Sequence, residues 1–112
     1  MFNSPAIPEI SVKELKATLD KGETPYLLDV RQVPEHELGN IGGTLIQLDQ
    51  LPARLDEIDI DKDAPLVVYC RSGARSGRAV QFLIQNGYTG AVNLKGGMIA
   101  WSMEIDPSLS VQ

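Results

Sequence analysis

Cysteine, histidine and tryptophan occur once each in the 112 residues, and each scarcity excludes something. A lone cysteine makes no intrachain disulfide, so a reducing compartment, the cytoplasm, is expected. One Cys and one His are too few for a zinc site made by the protein itself. No apolar run approaches the ~20 residues of a membrane span. Met1 to Pro8 lacks a basic region followed by an apolar run, so a secretory leader is not expected. Positive charge is also short: 10 Lys and Arg against 15 Asp and Glu leave a net charge of -5, which argues against a nucleic-acid partner. The acidic group Asp56, Glu57, Asp59, Asp61 and Asp63 lacks the glycine and closing glutamate of a calcium loop and reads as a solvated face. No G-x-x-x-x-G-K-[ST] spacing is present, which removes a nucleotide P-loop.

What remains is an ordinary globular composition, 43% hydrophobic and 22% charged, at a length that suits one domain with a real core. Met1 to Pro8, with two prolines, is expected to be an irregular lead-in, residues 9–103 the domain, and residues 104–112 a tail. Glu9-Ile10 suits a short edge strand. Ser11 and Glu14 form a capping box for a helix whose apolar face is Val12, Leu15 and Leu19, ending near Asp20 with Gly22 as its stop. Tyr26 to Val30 and Thr44 to Leu48 read as strands. Between them lie a loop with a helical turn around Glu35 and a turn-rich link, Gly39 to Gly43. Leu51 to Ile58 fits a helix with Leu51, Leu55 and Ile58 on one face. Ala79, Val80, Leu83 and Ile84 repeat at helical spacing, Ala91 to Leu94 is a strand, and Gly96-Gly97 opens a last helix with Trp101 as its anchor. Strands alternating with helices predict an α/β fold in three layers. Its centre is a mostly parallel five-stranded sheet with helices on both faces.

The informative stretch is Leu66-Val67-Val68-Tyr69-Cys70-Arg71-Ser72-Gly73-Ala74-Arg75-Ser76-Gly77. Leu66 to Tyr69 has no polar alternation and suits a strand buried on both faces. Cys70 then stands at its carboxyl end, where ligands bind in open α/β sheets, facing a helix expected to begin at Ser76. A cysteine ending an apolar strand is ordinarily a buried, inert residue. Here the next six residues argue otherwise. Gly73 and Ala74 permit close backbone approach, and Arg71 and Arg75 bring positive charge that a core cysteine does not need. Backbone N–H groups from Arg71 to Ser76 can converge on the sulfur and stabilise its thiolate, the nucleophilic form. Arg75 is expected to point into this cradle, and Arg78 toward solvent or toward the outer side of a bound phosphate-like ligand. Asp29 and Arg31 end a neighbouring strand on the same edge. They either help to shape the site or pair with each other or with Glu35 and hold the loop. His36, between Glu35 and Glu37, is read as a solvated surface residue rather than a general base.

Three patches together resemble the rhodanese homology domain. They are Leu28-Asp29-Val30-Arg31 with Glu35 and Gly39 to Gly43, the loop Cys70 to Ser76, and Leu94-Lys95-Gly96-Gly97-Met98-Ile99-Ala100-Trp101. Asn40 stands where the family commonly has histidine, at a position that is usually structural. The resemblance spans roughly residues 9 to 103. It implies a sulfurtransferase in which Cys70 attacks a donor such as thiosulfate and becomes a persulfide. A thiophilic acceptor then takes the sulfur: cyanide in an assay, or a thiol or sulfur-carrier protein in the cell. Arg71 and Arg75 would attract the anionic donor, with Asp29 and Arg31 supporting the site. The loop and Ile105 to Leu109 are also similar to the rhodanese domain of enzymes that deliver sulfur for molybdopterin and thiamin. That makes a partner-dependent persulfide carrier in cofactor or tRNA sulfur delivery the alternative. A binding module that does no chemistry is disfavoured by the intact Cys70 loop. A cysteine phosphatase or arsenate reductase of the same fold fits less well. Those resemble Cys, five residues, Arg, whereas Arg75 follows Cys70 after four, and the shorter ring suits a sulfur atom better than a phosphate.

Overall fold

Every strand among the described residues pairs in parallel. The computed structural model describes residues 6–111; residues 1–5 of the expected lead-in and Gln112 of the expected tail lie outside the described residues. The elements in chain order are β1 (Glu9–Ile10), α1 (Val12–Asp20), β2 (Tyr26–Asp29), α2 (Val33–Leu38), β3 (Thr44–Leu45), β4 (Leu66–Tyr69), α3 (Ala74–Gln85), β5 (Ala91–Leu94) and α4 (Gly97–Glu104). The sheet runs β1-β5-β4-β2-β3, so β4 is the central strand and carries Cys70 at its end. Tyr26 to Asp29 of β2 lie beside Leu66 to Tyr69, and Leu66 to Val68 lie beside Ala91 to Asn93.

The central strand is buried on both faces, as an unbroken apolar run requires. Alternation sends Leu66, Val68 and Cys70 to one face, with Leu28, Ala79, Val80 and Leu83. Val67 and Tyr69 go to the other, with Val12, Leu15, Leu94, Met98 and Trp101. α3 therefore covers one face and α1 with α4 the other. The Ser11 and Glu14 capping box forms in both directions, at 3.0 and 3.1 Å. Leu109 and Val111 pack against the second cluster.

Three local expectations are corrected. Residues 51–58 are not one helix: two 3-10 turns, Leu48–Gln50 and Leu55–Glu57, flank a turn. Pro52 cannot donate an N–H to continue a helix from Leu48. The three-residue spacings Leu48 to Leu51 and Leu55 to Ile58 are those of a 3-10 repeat, and Leu51 and Ile58 are still buried. The strand expected over Thr44 to Leu48 is only Thr44–Leu45, although the N–H groups of Ile46 and Leu48 still bond to Asp29 and Val30. α3 begins at Ala74, two residues before the expected Ser76, because Gly73 takes a left-handed conformation (φ +108°) and serves as its N-cap. Among the described residues, no helix is long and apolar enough to cross a membrane.

Candidate active site

The site begins with the backbone just past β4. The carbonyls of Cys70 and Arg71 accept hydrogen bonds from the N–H groups of Met98 and Ile99, both 3.0 Å. The first turn of α4 thus holds the loop from below. Gly97 makes this approach possible. Its φ is +56°, and a Cβ there would lie 2.5 Å from the Cys70 carbonyl oxygen.

From this seat the loop curls back over its own sulfur. Cys70 Sγ receives the Gly73 N–H at 3.1 Å, the Ser76 N–H at 3.4 Å and the Ser76 hydroxyl at 3.2 Å. Cys70 is only 1% exposed, and burial opposes its ionisation. The Ser76 hydroxyl and the N–H groups of Ser76, Gly73 and Ser72 outweigh that burial, and the thiol is held below its ordinary value. The amino end of the 12-residue α3 adds potential of the same sign. A thiolate or a terminal persulfide sulfur is the species such converging donors stabilise.

The expected cradle residues therefore divide. Cys70, Gly73 and Ser76 meet at the sulfur. Ser72 contributes its N–H, and Ala74, exposed, opens α3. Arg71 is exposed at the mouth. Arg75 does not point into the cradle as expected. Its guanidinium forks onto Glu35 of α2, Nη1 to Oε1 at 2.7 Å and Nη2 to Oε2 at 2.8 Å. The reason is geometric: Glu35 reaches back to the Gln32 N–H, which fixes its carboxylate in the plane a guanidinium prefers. Arg75 is still close enough for attraction to Cys70 to favour its charged form, after the larger effect of Glu35. Arg78 is exposed.

Asp29 and Arg31 do not touch the sulfur. Both are buried, and they pair with each other: Arg31 Nε to Oδ1 at 2.9 Å and Nη2 to Oδ2 at 2.8 Å. Arg31 also donates to the Gly39 carbonyl at 2.7 Å. His36 is not a solvated surface residue. Its Nδ1 lies 2.8 Å from Asp29 Oδ2, and the side chain is 22% exposed. The buried carboxylate at the end of β2 is the strongest acceptor within reach of α2, and it draws the imidazole inward. Asp29 thereby ties down the carboxyl half of α2, directly through His36 and by way of Arg31 at the Gly39 cap, and α2 presents Glu35 to Arg75. Asp29 and Arg31 bear on the loop through this chain of contacts and through their charges, which favour the ionised forms of Arg75 and Glu35.

Three residues were not singled out from sequence: Glu35 as the partner of Arg75, Gly97 under the loop, and Asn93 behind Ser76. Asn93 did leave a signal, being the one polar residue in the apolar strand β5. Among the described residues, no group of three or more His, Cys, Asp and Glu side chains is placed to share a metal ion.

The Glu35–Arg75 pair makes a prediction. Hydrogen bonding from Arg75 outweighs burial and lowers the Glu35 carboxyl from the ordinary 4.5 to about 2. A carboxyl depressed on folding stabilises the fold above its unfolded value and loses that contribution as pH falls through the folded value. A double-mutant cycle of Glu35→Gln and Arg75→Met should give a coupling of about 1–2 kcal/mol at pH 7 for this partly buried bidentate pair. In urea unfolding that coupling should fade between pH 4.5 and about 2. A coupling that does not change over that range would mean the pair contributes nothing through its charge.

The sequence model of the Rhodanese-like domain matches residues 11–104. The chain belongs to this family. As a rhodanese-like domain it is 40% identical over 97 residues to a sulfurtransferase of Allochromatium vinosum, covering 86% of this chain and 89% of that one. It is 32% identical over 101 residues to a putative sulfur carrier protein, YrkF, of Bacillus subtilis, covering 89% of this chain and 54% of that protein. Its fold superposes on the crystal structure of a rhodanese-like domain protein from Staphylococcus aureus. There the TM-score is 0.79 and the identity 33%, over 95% of this chain and 99% of that one. These likenesses put the chain in the rhodanese-like sulfurtransferase family, with its single cysteine at the end of the central strand.

Proposed function

We propose that this rhodanese-like domain transfers sulfane sulfur through a Cys70 persulfide, in a reducing compartment such as the cytoplasm. The observation that carries the reading is the convergence of Gly73 N–H, Ser76 N–H and Ser76 hydroxyl on Cys70 Sγ within 3.4 Å. In the first step the thiolate attacks the outer sulfur of thiosulfate. A Cys70–sulfur bond forms, the sulfur–sulfite bond breaks, and sulfite leaves with the electron pair. The negative charge now sits on the outer persulfide sulfur, where the same donors face it. In the second step a thiolate or cyanide attacks that outer sulfur, and Cys70 returns as thiolate. Arg71, exposed at the loop mouth, is the group that meets the anionic donor first. The site needs no cofactor for this sequence of steps.

One observation favours a partner-fed version of the same chemistry. Arg75 is engaged by Glu35, so it offers less attraction to a free dianion than its position in the sequence implies. The relative named as a putative sulfur carrier fits that version. The same engagement counts against an oxyanion enzyme, which would need the guanidinium over the ring.

Intact-protein mass after incubation with thiosulfate, and separately with a cysteine persulfide, tests the reading. A gain of one sulfur, removed by cyanide with release of thiocyanate, is expected from at least one donor. Loading from thiosulfate marks the small-molecule route, and loading from the persulfide alone marks the carrier. No added sulfur from either, with turnover of a phosphate ester or arsenate, would overturn the proposal.

A further inference from the structure

Ser76 has one hydroxyl hydrogen and two claimants for it. Its Oγ lies 3.2 Å from Cys70 Sγ and 2.5 Å from Asn93 Oδ1. The orientation of the Asn93 amide is dictated by its other end, where Nδ2 donates to the Gly73 carbonyl at 3.0 Å. A carbonyl only accepts, so the amide nitrogen must face Gly73 and the amide oxygen must face Ser76. That oxygen also only accepts. While Asn93 holds the hydroxyl hydrogen, Ser76 turns a lone pair toward sulfur, which suits a protonated thiol as donor. When the sulfur is an anion, the hydroxyl serves it only by turning away from Asn93. Ser76 is fully buried and Asn93 is 5% exposed, so water does not readily take either place.

We propose that Asn93 is a positioning residue that directs the Ser76 hydroxyl hydrogen, holding it while Cys70 is a thiol and yielding it to sulfur when Cys70 is an anion. The inference rests on Cys70 being the reacting group. In the change of state the Cys70 proton leaves to solvent or to a base, and the Ser76 hydrogen never leaves its oxygen. Two hydrogen bonds, Ser76 to Asn93 and the thiol to Ser76 Oγ, break, and one, Ser76 to Sγ, forms. The same amide holds the Gly73 carbonyl, so the residue that directs the hydroxyl also keeps the Gly73 N–H over the sulfur. The other charged groups around the sulfur keep their places in this exchange. Arg75 on α3 is paired with Glu35 of α2, and Asp29 at the end of β2 is paired with Arg31 and His36. Arg71 and, beyond β5, Lys95 are exposed.

The chain has one cysteine, so cysteine labelled with 13C at Cβ gives a single resonance whose shift reports thiol ionisation directly, with no sulfur donor present. Removing the competing acceptor with Asn93→Val, which suits a strand, leaves the hydroxyl to the sulfur. Because the same change also frees the Gly73 carbonyl, the shift is read against Ser76→Ala: the Cys70 midpoint should move about one pH unit further down with Ser76 present than without it, the scale of a hydrogen bond to a charged group. In the Ser76→Ala background the same Asn93→Val change should produce no fall, because no hydroxyl is left to redirect. Equal shifts in both backgrounds, or a higher midpoint with Ser76 than the Ser76→Ala shift accounts for, would overturn the proposal, since the loss of the Gly73 contact is common to both. The unsubstituted chain provides a second test should the variant not fold. The Asn93 side-chain amide resonances should titrate with the Cys70 midpoint and stop doing so in Ser76→Ala. Amide resonances indifferent to Cys70 ionisation would also overturn it. Neither readout depends on transfer, so a failure here leaves the persulfide reading standing. Failed sulfur loading with both titrations as expected would remove that reading alone.

Discussion

Cys70→Ser should abolish sulfur transfer completely while the chain keeps its fold. The substitution replaces sulfur by oxygen in a position already supplied with donors from Gly73 and Ser76, so no buried polar group is left unpaired. The stability cost should stay below about 1.5 kcal/mol, the range of a near-isosteric change. The hydroxyl, with an ionisation far above that of a thiol, cannot serve as the sulfur nucleophile at neutral pH. It also cannot carry a persulfide. The check is thiocyanate formation from thiosulfate and cyanide, alongside thermal unfolding of both proteins. Residual transfer above the uncatalysed rate would remove Cys70 from the nucleophile's role, since no second cysteine exists to replace it.

Gly97→Ala should be strongly damaging although it leaves every reacting group in place. A Cβ at Gly97 would stand 2.5 Å from the Cys70 carbonyl oxygen and 2.7 Å from that of Arg71, both backbone atoms. These carbonyls are the ones that Met98 and Ile99 hold by hydrogen bonds. The new methyl would push the loop off its seat, and φ of +56° adds strain for any side chain. A destabilisation of about 2–4 kcal/mol is expected. Sulfur loading should also slow by roughly ten- to a hundredfold, because the converging N–H groups move with the loop. Gly22→Ala is the control. Gly22 has φ +83° with nothing within 4 Å of the added atom, so it isolates backbone strain at about 1 kcal/mol. Should Gly97→Ala prove as mild as Gly22→Ala, contact between α4 and the loop would not be what positions Cys70.

These predictions draw on different levels of the molecule. The candidate cysteine and its loop were legible as residues in a row. An unbroken apolar strand, one cysteine, and a short loop of glycine, alanine, serine and arginine before a helical repeat are all local facts. Their physical consequence, N–H groups wrapped around a sulfur, follows from chain geometry over seven residues. The alternation of strands and helices was equally local, and so was the α1 capping box. Where local reading failed in the fold, a short-range rule was overridden. Pro52 and a three-residue spacing turned an expected helix into two 3-10 turns. Gly73, free to adopt positive φ, let α3 begin two residues early.

Sequence by itself thus determined the place of the candidate nucleophile, the loop around it and the α/β architecture, because each depends on neighbours in the chain. Tertiary structure alone decided which way the longer side chains face. Arg75 is 40 residues from Glu35, and nothing in the sequence ties them until α2 is clamped to Asp29. His36 is drawn inward by a carboxylate seven residues earlier, at the end of a strand. Asn93 reaches Ser76 and Gly73 only because β5 lies beside β4 in the sheet. Arginine, histidine and asparagine side chains can bond in several directions from one backbone position, and the partner that wins is the one the fold brings within 3 Å.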